Sequence, residues 1–117
     1  MTTQQIADCL VELCRKGQIL EAELELYADN ISSVELAHSP SKSATGKDAV
    51  IEKGKVFAAM IEERHGGSFS DATVAGRYFT VAMVLDATFK GQDRMTLEEI
   101  CLYEVADGKI ISEQFFF

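Results

Sequence analysis

Leu102-Tyr103-Glu104-Val105-Ala106-Asp107-Gly108-Lys109-Ile110-Ile111 is the stretch that decides the fold. Asp-Gly between two alternating apolar–polar runs signals a two-residue hairpin turn, because such turns need positive φ at both central residues. The alternation extends upstream to Met95 and downstream to Phe117, so two strands are expected, Met95–Ala106 and Lys109–Phe117. Further toward the N-terminus the same period of two continues through Tyr78–Phe89 and Phe69–Ala75. Gly76-Arg77 and Lys90-Gly91-Gln92-Asp93-Arg94 separate these runs and supply the turns. The result is an antiparallel meander of four strands. Two of them are about twice the usual strand length of ~5–6 residues, and strands that long bend. A curled sheet follows.

The first half of the chain keeps a period of 3.6 instead. Thr2 to Lys16 reads as an amphipathic helix, opened by a Thr2–Gln5 capping box and closed by Gly17. Its stripe is Ile6, Cys9, Leu10 and Leu13. A second helix from Gln18 to Tyr27 is expected to turn Leu20, Leu24 and Tyr27 inward, with Glu21 and Glu25 outward. Ile31–Leu36 reads as a short strand, and His38–Thr45 as a polar loop holding the only proline. A third helix is expected over Lys47–Arg64, with Val50, Gly54, Phe57 and Ile61 on one face and Gly66-Gly67 ending it. Glycine inside a helix costs ~1 kcal/mol against alanine, so Gly54 is expected to admit a close approach by another backbone. Helices first and strands after them make the class α+β.

Composition bounds the function. With 117 residues, of which 47% are hydrophobic, the chain is one domain with one core. Eleven Lys and Arg against nineteen Asp and Glu leave a net charge of −8, which excludes a broad nucleic-acid surface. No basic and apolar leader opens the sequence, and no apolar run approaches the ~20 residues of a membrane span, so a cytoplasmic protein is expected. Cys9, Cys14 and Cys101 lack a C-x-x-C spacing and read as reduced, buried thiols. His38 and His65 stand apart with no His-x-His or Glu-x-x-His pairing, so no metal is expected. No glycine-rich phosphate loop occurs, and no cofactor is expected.

Three local words add a family likeness: Leu26-Tyr27-Ala28-Asp29-Asn30 with Val34-Glu35, then Gly46-Lys47-Asp48-Ala49-Val50, then Leu102 to Ile111. In order and spacing they resemble the SnoaL-like and nuclear transport factor 2-like superfamily, to which ketosteroid isomerase also belongs. The ending Gly108 to Phe117 is similar to the "G-K-I-x-x-E-x-F-x-x" of small bacterial SnoaL-like members. The resemblance covers nearly the whole chain. It implies a cone-shaped fold, a curled antiparallel sheet wrapped around three N-terminal helices. It also implies a homodimer formed through the sheet face, which suits a chain ending in Phe115-Phe116-Phe117.

Carried over by position, the resemblance places the isomerase's oxyanion tyrosine at Leu10, its base at Leu36 and its buried acid at Ile100. All three are apolar here. A slip of one residue would bring Glu35 or Glu99 into play, and would also reverse which sheet face each occupies. Nor is there an Asp-Arg-Asp cluster of the limonene epoxide hydrolase kind. The first expectation is therefore an apolar cone lined by Leu10, Tyr27, Leu36, Phe57, Ile100 and Leu102 that binds a small hydrophobic molecule.

The alternative is an enzyme of cyclase, isomerase or hydrolase type working by carboxylate or histidine acid–base chemistry. If Ile100 faces inward, alternation takes Glu98 inward too, where it either serves as acid/base or stands solvated at the rim. His38, after the first strand, is either a base at the mouth or an exposed loop residue. Asp86, inside an apolar strand, either pairs with a cross-strand Thr or Lys or lines the pocket. Tyr27 is either a core residue with a bonded hydroxyl or an orienting group. His65 reads as a cation at a helix C-terminus.

Overall fold

The computed structural model describes residues 1–117. Helix α1 spans Thr3–Arg15 and begins with the capping box, Thr2 Oγ1 accepting from the Gln5 amide at 3.1 Å and Gln5 Oε1 from the Thr2 amide at 2.8 Å. It ends in a Schellman turn. Gly17 takes φ 74°, and the Gln18 and Gly17 amides donate to the Leu13 and Cys14 carbonyls. Helix α2 (Ile19–Leu26) leads directly into strand β1 (Tyr27–Val34). After a two-residue strand β2 (Ala44–Thr45) comes helix α3 (Lys47–Ala59). Strands β3 (Ile61–Phe69), β4 (Thr73–Ala75), β5 (Tyr78–Phe89), β6 (Arg94–Ala106) and β7 (Lys109–Phe116) complete the chain.

All seven strands belong to one sheet, ordered β2-β1-β7-β6-β5-β3, with β4 also on β5. The α+β cone expected from sequence is present, with an unclosed sheet curled over three helices. Asp107 (φ 51°) and Gly108 (φ 75°) turn the β6–β7 hairpin as their residue types require. The sheet is not wholly antiparallel, because β1 pairs parallel with β7. Pairing of that kind needs a distant return of the chain, which no local pattern reveals.

Several elements differ from their sequence reading: β1 begins at Tyr27 rather than Ile31 and ends at Val34, and the expected strand Phe69–Ala75 is reduced to β4 (Thr73–Ala75). Helix α3 stops at Ala59, and the segment from Ile61 onward is strand β3, paired antiparallel with β5. Glu62, Glu63 and Arg64 are good helix formers, but pairing with β5 overrides that weak preference. Gly66 and Gly67 thus lie inside a strand, and a Cβ on Gly67 would fall 2.5 Å from the Val84 carbonyl oxygen. His65 is accordingly no helix-end cation; its Nε2 lies 2.8 Å from Thr88 Oγ1 across the pair. Helix α2 is rotated from its expected phase, burying Ala22, Glu23 and Leu26 and leaving Leu20 and Leu24 outward.

The main core is built from Ile6, Leu10, Leu26, Ile31, Val50, Phe79, Val81, Tyr103 and Ile110, with Phe79 stacked on Tyr103 at 4.8 Å. A second, smaller cluster joins Leu85, Ala87 and Phe89 to Phe57, Ile61 and Leu97. Between the two clusters runs a belt of polar groups.

Candidate functional site

Strand phase decides which side chains enter the cone. On β6 the buried residues are Cys101, Tyr103 and Val105, so Glu99 shares their face and Glu98, Ile100 and Leu102 point to the convex side. This is opposite to the phase expected from sequence, and Ile100 is 45% exposed. On β7 the register shifts between Glu104 and Val105, with Val105 opposite Ile110 and Tyr103 opposite Glu113. That bulge changes the parity of the strand, so Ile110 and then Glu113 and Phe115 face inward. In β1, Ser33 lies opposite Glu113 and is fully buried.

Glu113 is the hub of the belt. It is 4% exposed; one carboxyl oxygen accepts from the Tyr27 hydroxyl and the other from Ser33 Oγ at 3.1 Å. Helix α3 contributes Lys53, whose Nζ donates to Ser33 Oγ at 2.6 Å and Glu35 Oε2 at 2.7 Å, 5.2 Å from the Phe115 ring centre. Ser39 Oγ adds a 3.0 Å bond to Glu35. An ammonium has three N–H bonds. Two are engaged by Ser33 and Glu35, so one is left over.

Glu99 stands beside this network with a thiol as its hydrogen-bond partner, Cys101 Sγ at 3.5 Å. Burial, reinforced by Glu35 and Glu113, outweighs Cys101 and Lys53 and pushes its carboxyl up to about 7. Glu23, from α2, is 9% exposed, and burial with the neighbouring Glu113 charge pushes it up to about 7 as well. Burial also raises Glu113, against the opposing bonds of Tyr27 and Ser33. The Tyr27 and Tyr103 hydroxyls are raised well above their ordinary value, chiefly by burial. Cys14 is pushed up to about 11 by burial and then by Glu23 and Glu113; Cys101 is raised for the same first reason. Neither thiol is an activated nucleophile.

The residues singled out from sequence are distributed differently. Leu10 is core and Leu36 is half-buried just beyond β1. Phe57 is half-buried against Phe89 at 5.7 Å. Tyr27 is buried with its hydroxyl on Glu113, the first of the two expectations for it. Glu98 is exposed, and His38 is exposed with its ring edge 5.2 Å from Phe117. Asp86 is half-exposed on the convex face, where Arg94 binds it twice, at 2.9 and 2.8 Å, and holds it below the usual carboxylate range. Gly54 faces the Glu23 carboxyl, whose Oε2 would be 3.5 Å from a Cβ there, rather than a neighbouring backbone.

Sequence reading missed Glu113, Ser33, Lys53 and Glu23. For Glu113 a signal existed, since it is the glutamate of the closing word, but the bulge that turns it inward has no local signature. Two surface clefts of about 490 and 400 Å³ lie elsewhere, the first along α1 beside Arg15 and Asp71, the second at the start of α3 beside Lys47 and Asp48. Both are lined mainly by polar and charged residues, and neither is lined by Glu99 or Glu113. No helix is long and apolar enough to cross a membrane.

Against known proteins, the model of the SnoaL-like domain family matches residues 1–117. A candidate SnoaL-like polyketide cyclase from Mesorhizobium loti is 34% identical over 100% of both chains, with a TM-score of 0.93. An NTF2-like protein of unknown function from Burkholderia pseudomallei superposes with a TM-score of 0.80 at 17% identity, over 100% of this chain and 92% of that one. A protein of ketosteroid isomerase-like fold from Catenulispora acidiphila, solved with trimethylamine, gives 0.75 at 21% identity, over 99% and 87%. At those identities the last two establish the fold alone. Among curated proteins no significant match is found. With its full length matched by the family model and a relative one-third identical from end to end, the chain belongs to the SnoaL-like domain family.

Proposed function

We propose that the cone is an acid–base site for a small, largely apolar substrate carrying a carbonyl group, with Glu99 as the group that moves the proton. One observation carries this reading: Glu99 faces the interior between Leu97 and Cys101 with no ion pair, beside a polar network in which one Lys53 N–H is left over. A carboxyl near 7 divides its time between acid and base at neutral pH, the condition for efficient general acid–base catalysis. The remaining N–H of Lys53 is the electrophile for the oxygen that gains charge as a proton leaves the adjacent carbon. Ser33 and Glu35 hold Lys53 in place, with Ser33 bonded in turn to Glu113 and Glu113 to Tyr27. Phe57, Leu97 and Phe115 supply the apolar walls. Membership in a family with a cyclase-like relative supports the same class of chemistry. This reading moves the proton-transfer role from Glu98 and His38, both exposed, to the inward neighbour of Glu98.

The test is deuterium uptake by cyclohexanone at its α carbons in D₂O, followed by proton NMR. The wild-type protein is expected to accelerate exchange over buffer, and Glu99→Gln to lose on the order of 10²-fold or more of that acceleration. Binding of the ketone without any accelerated exchange would favour the other reading, a non-catalytic pocket for a small hydrophobic molecule.

The same proposal includes a homodimer. The convex face presents Val34, Ile100, Phe116 and Tyr78 as exposed apolar side chains, with Leu102 and Val84 half-buried among them. A second copy packed on this face by two-fold symmetry would cover them while leaving the cones open.

A further inference from the structure

The inward face of β6 carries Glu99, Cys101 and Tyr103 in succession, at alternate positions of the strand. Cys101 is buried, and its Sγ lies 3.5 Å from Glu99 Oε1. No other hydrogen bond reaches the Glu99 carboxyl, so its second oxygen, Oε2, has no partner. No buried side-chain oxygen of the molecule lacks a partner, so Oε2 is one that solvent reaches. The carboxyl is thus held at one oxygen and open at the other. Glu113, on the neighbouring strand β7, makes the contrast. It is deeply buried, and both its oxygens are taken by hydroxyls, those of Tyr27 and Ser33. It has no open oxygen to offer. The donors differ in kind as well, because a thiol is a weak donor and a hydroxyl a full one. A donor favours the ionised carboxylate in proportion to its strength. Two hydroxyls therefore pull Glu113 toward the carboxylate, whereas one thiol pulls Glu99 only slightly.

We infer that Cys101 is the positioning residue of Glu99: its thiol pins Oε1, leaves Oε2 open, and as a weak donor lets that carboxyl both take and release a proton. The inference rests on the proposed acid–base role of Glu99 and adds what regulates it. In the exchange reaction Oε2 takes the proton from the α carbon, the C–H electron pair becomes the carbon–carbon π bond of the enol form, and the carbon later regains a hydron derived from solvent. The other groups whose charge reaches Glu99 are Glu35 beyond β1, Glu113 of β7 and Lys53 of α3. Met83, opposite it on β5, carries no charge.

The experiment is an NMR titration of the Glu99 side-chain carboxyl carbon in the full chain, for wild type, Cys101→Ser and Cys101→Ala. Cys101→Ser supplies a stronger donor of nearly the same shape, so the Glu99 midpoint is expected to fall by about one pH unit. Cys101→Ala removes the donor, and the midpoint should rise by about half a unit. Cys14→Ser alters a second core-facing thiol that makes no bond to Glu99, and should leave the midpoint in place. Deuterium uptake by cyclohexanone should rise with pH through each variant's own midpoint, so its profile moves in the same direction as the titration. Equal midpoints in wild type and both Cys101 variants would overturn the inference. So would displacement of both variants in one direction, the mark of a packing role alone, or a shift from Cys14→Ser as large as that from Cys101→Ser. Should Cys101→Ser fail to fold, Cys101→Ala decides, since loss of the donor must still raise the midpoint. Midpoints that separate as expected, with no accelerated exchange in the wild type, would uphold the hold of Cys101 on Glu99 and overturn the acid–base reading alone.

Discussion

Glu113, Glu99 and Glu23 set the molecule's response to pH. Each is raised by burial, so the folded chain keeps protons that the unfolded chain has already released. Glu23 and Glu99 start from an ordinary value of 4.5 and are pushed to about 7. Between these values the folded state binds more protons than the unfolded one, and stability falls as pH rises. Their favourable contribution is complete below about 4.5 and lost once pH passes about 7. Urea titrations at pH 5 and pH 8 are expected to show wild type less stable at pH 8. Glu23→Gln should remove part of that difference, on the order of 1 kcal/mol for a partly screened group. An unchanged difference in the variant would show that Glu23 is not buried as a carboxyl. At this scale the sequence was least informative. Glu113 and Glu23 look like any surface glutamate, and nothing beside them in the chain reveals that a distant hydroxyl or a helix phase encloses them.

Among the elements, those closed by local contacts were legible. The Thr2–Gln5 box, the Gly17 cap and the Asp107-Gly108 turn each need only residues a few positions apart. Strand β3 was not legible, because its residues favour a helix and only β5 makes them a strand. Gly67 records that pairing. Substituting Gly67→Ala would put a methyl group 2.5 Å from the Val84 carbonyl oxygen, so the two strands must separate locally. Thermal or urea unfolding of Gly67→Ala should show a loss of about 1–3 kcal/mol, as for overpacking elsewhere. Were Ile61–Phe69 a continuation of α3, the same change would stabilise the protein by about 1 kcal/mol instead, so the sign alone decides. The β6 phase and the β7 bulge belong to the same lesson. Alternation along a strand is readable, but which parity faces the helices is chosen by packing, and one bulge reverses it.

For the whole molecule, the convex face and the interior make opposite demands. The proposed dimer predicts that the wild-type chain sediments at about twice its 12.9 kDa mass. Ile100→Lys, placing a charge at the centre of the apolar strip, should shift it to monomer in equilibrium sedimentation. A wild-type chain that stays monomeric at high concentration would remove the dimer from the proposed function. By itself the sequence determined the α+β class, the helix caps, the closing hairpin and the family, because propensity, capping and turn geometry act over a few residues. Only the tertiary structure decided that Glu99 rather than Glu98 enters the cone, that Glu113 meets Tyr27, and that Glu23 is buried beside Gly54. Those facts depend on which face of a strand or helix meets its neighbours. Packing across the whole chain settles that, and a single-residue shift inverts it.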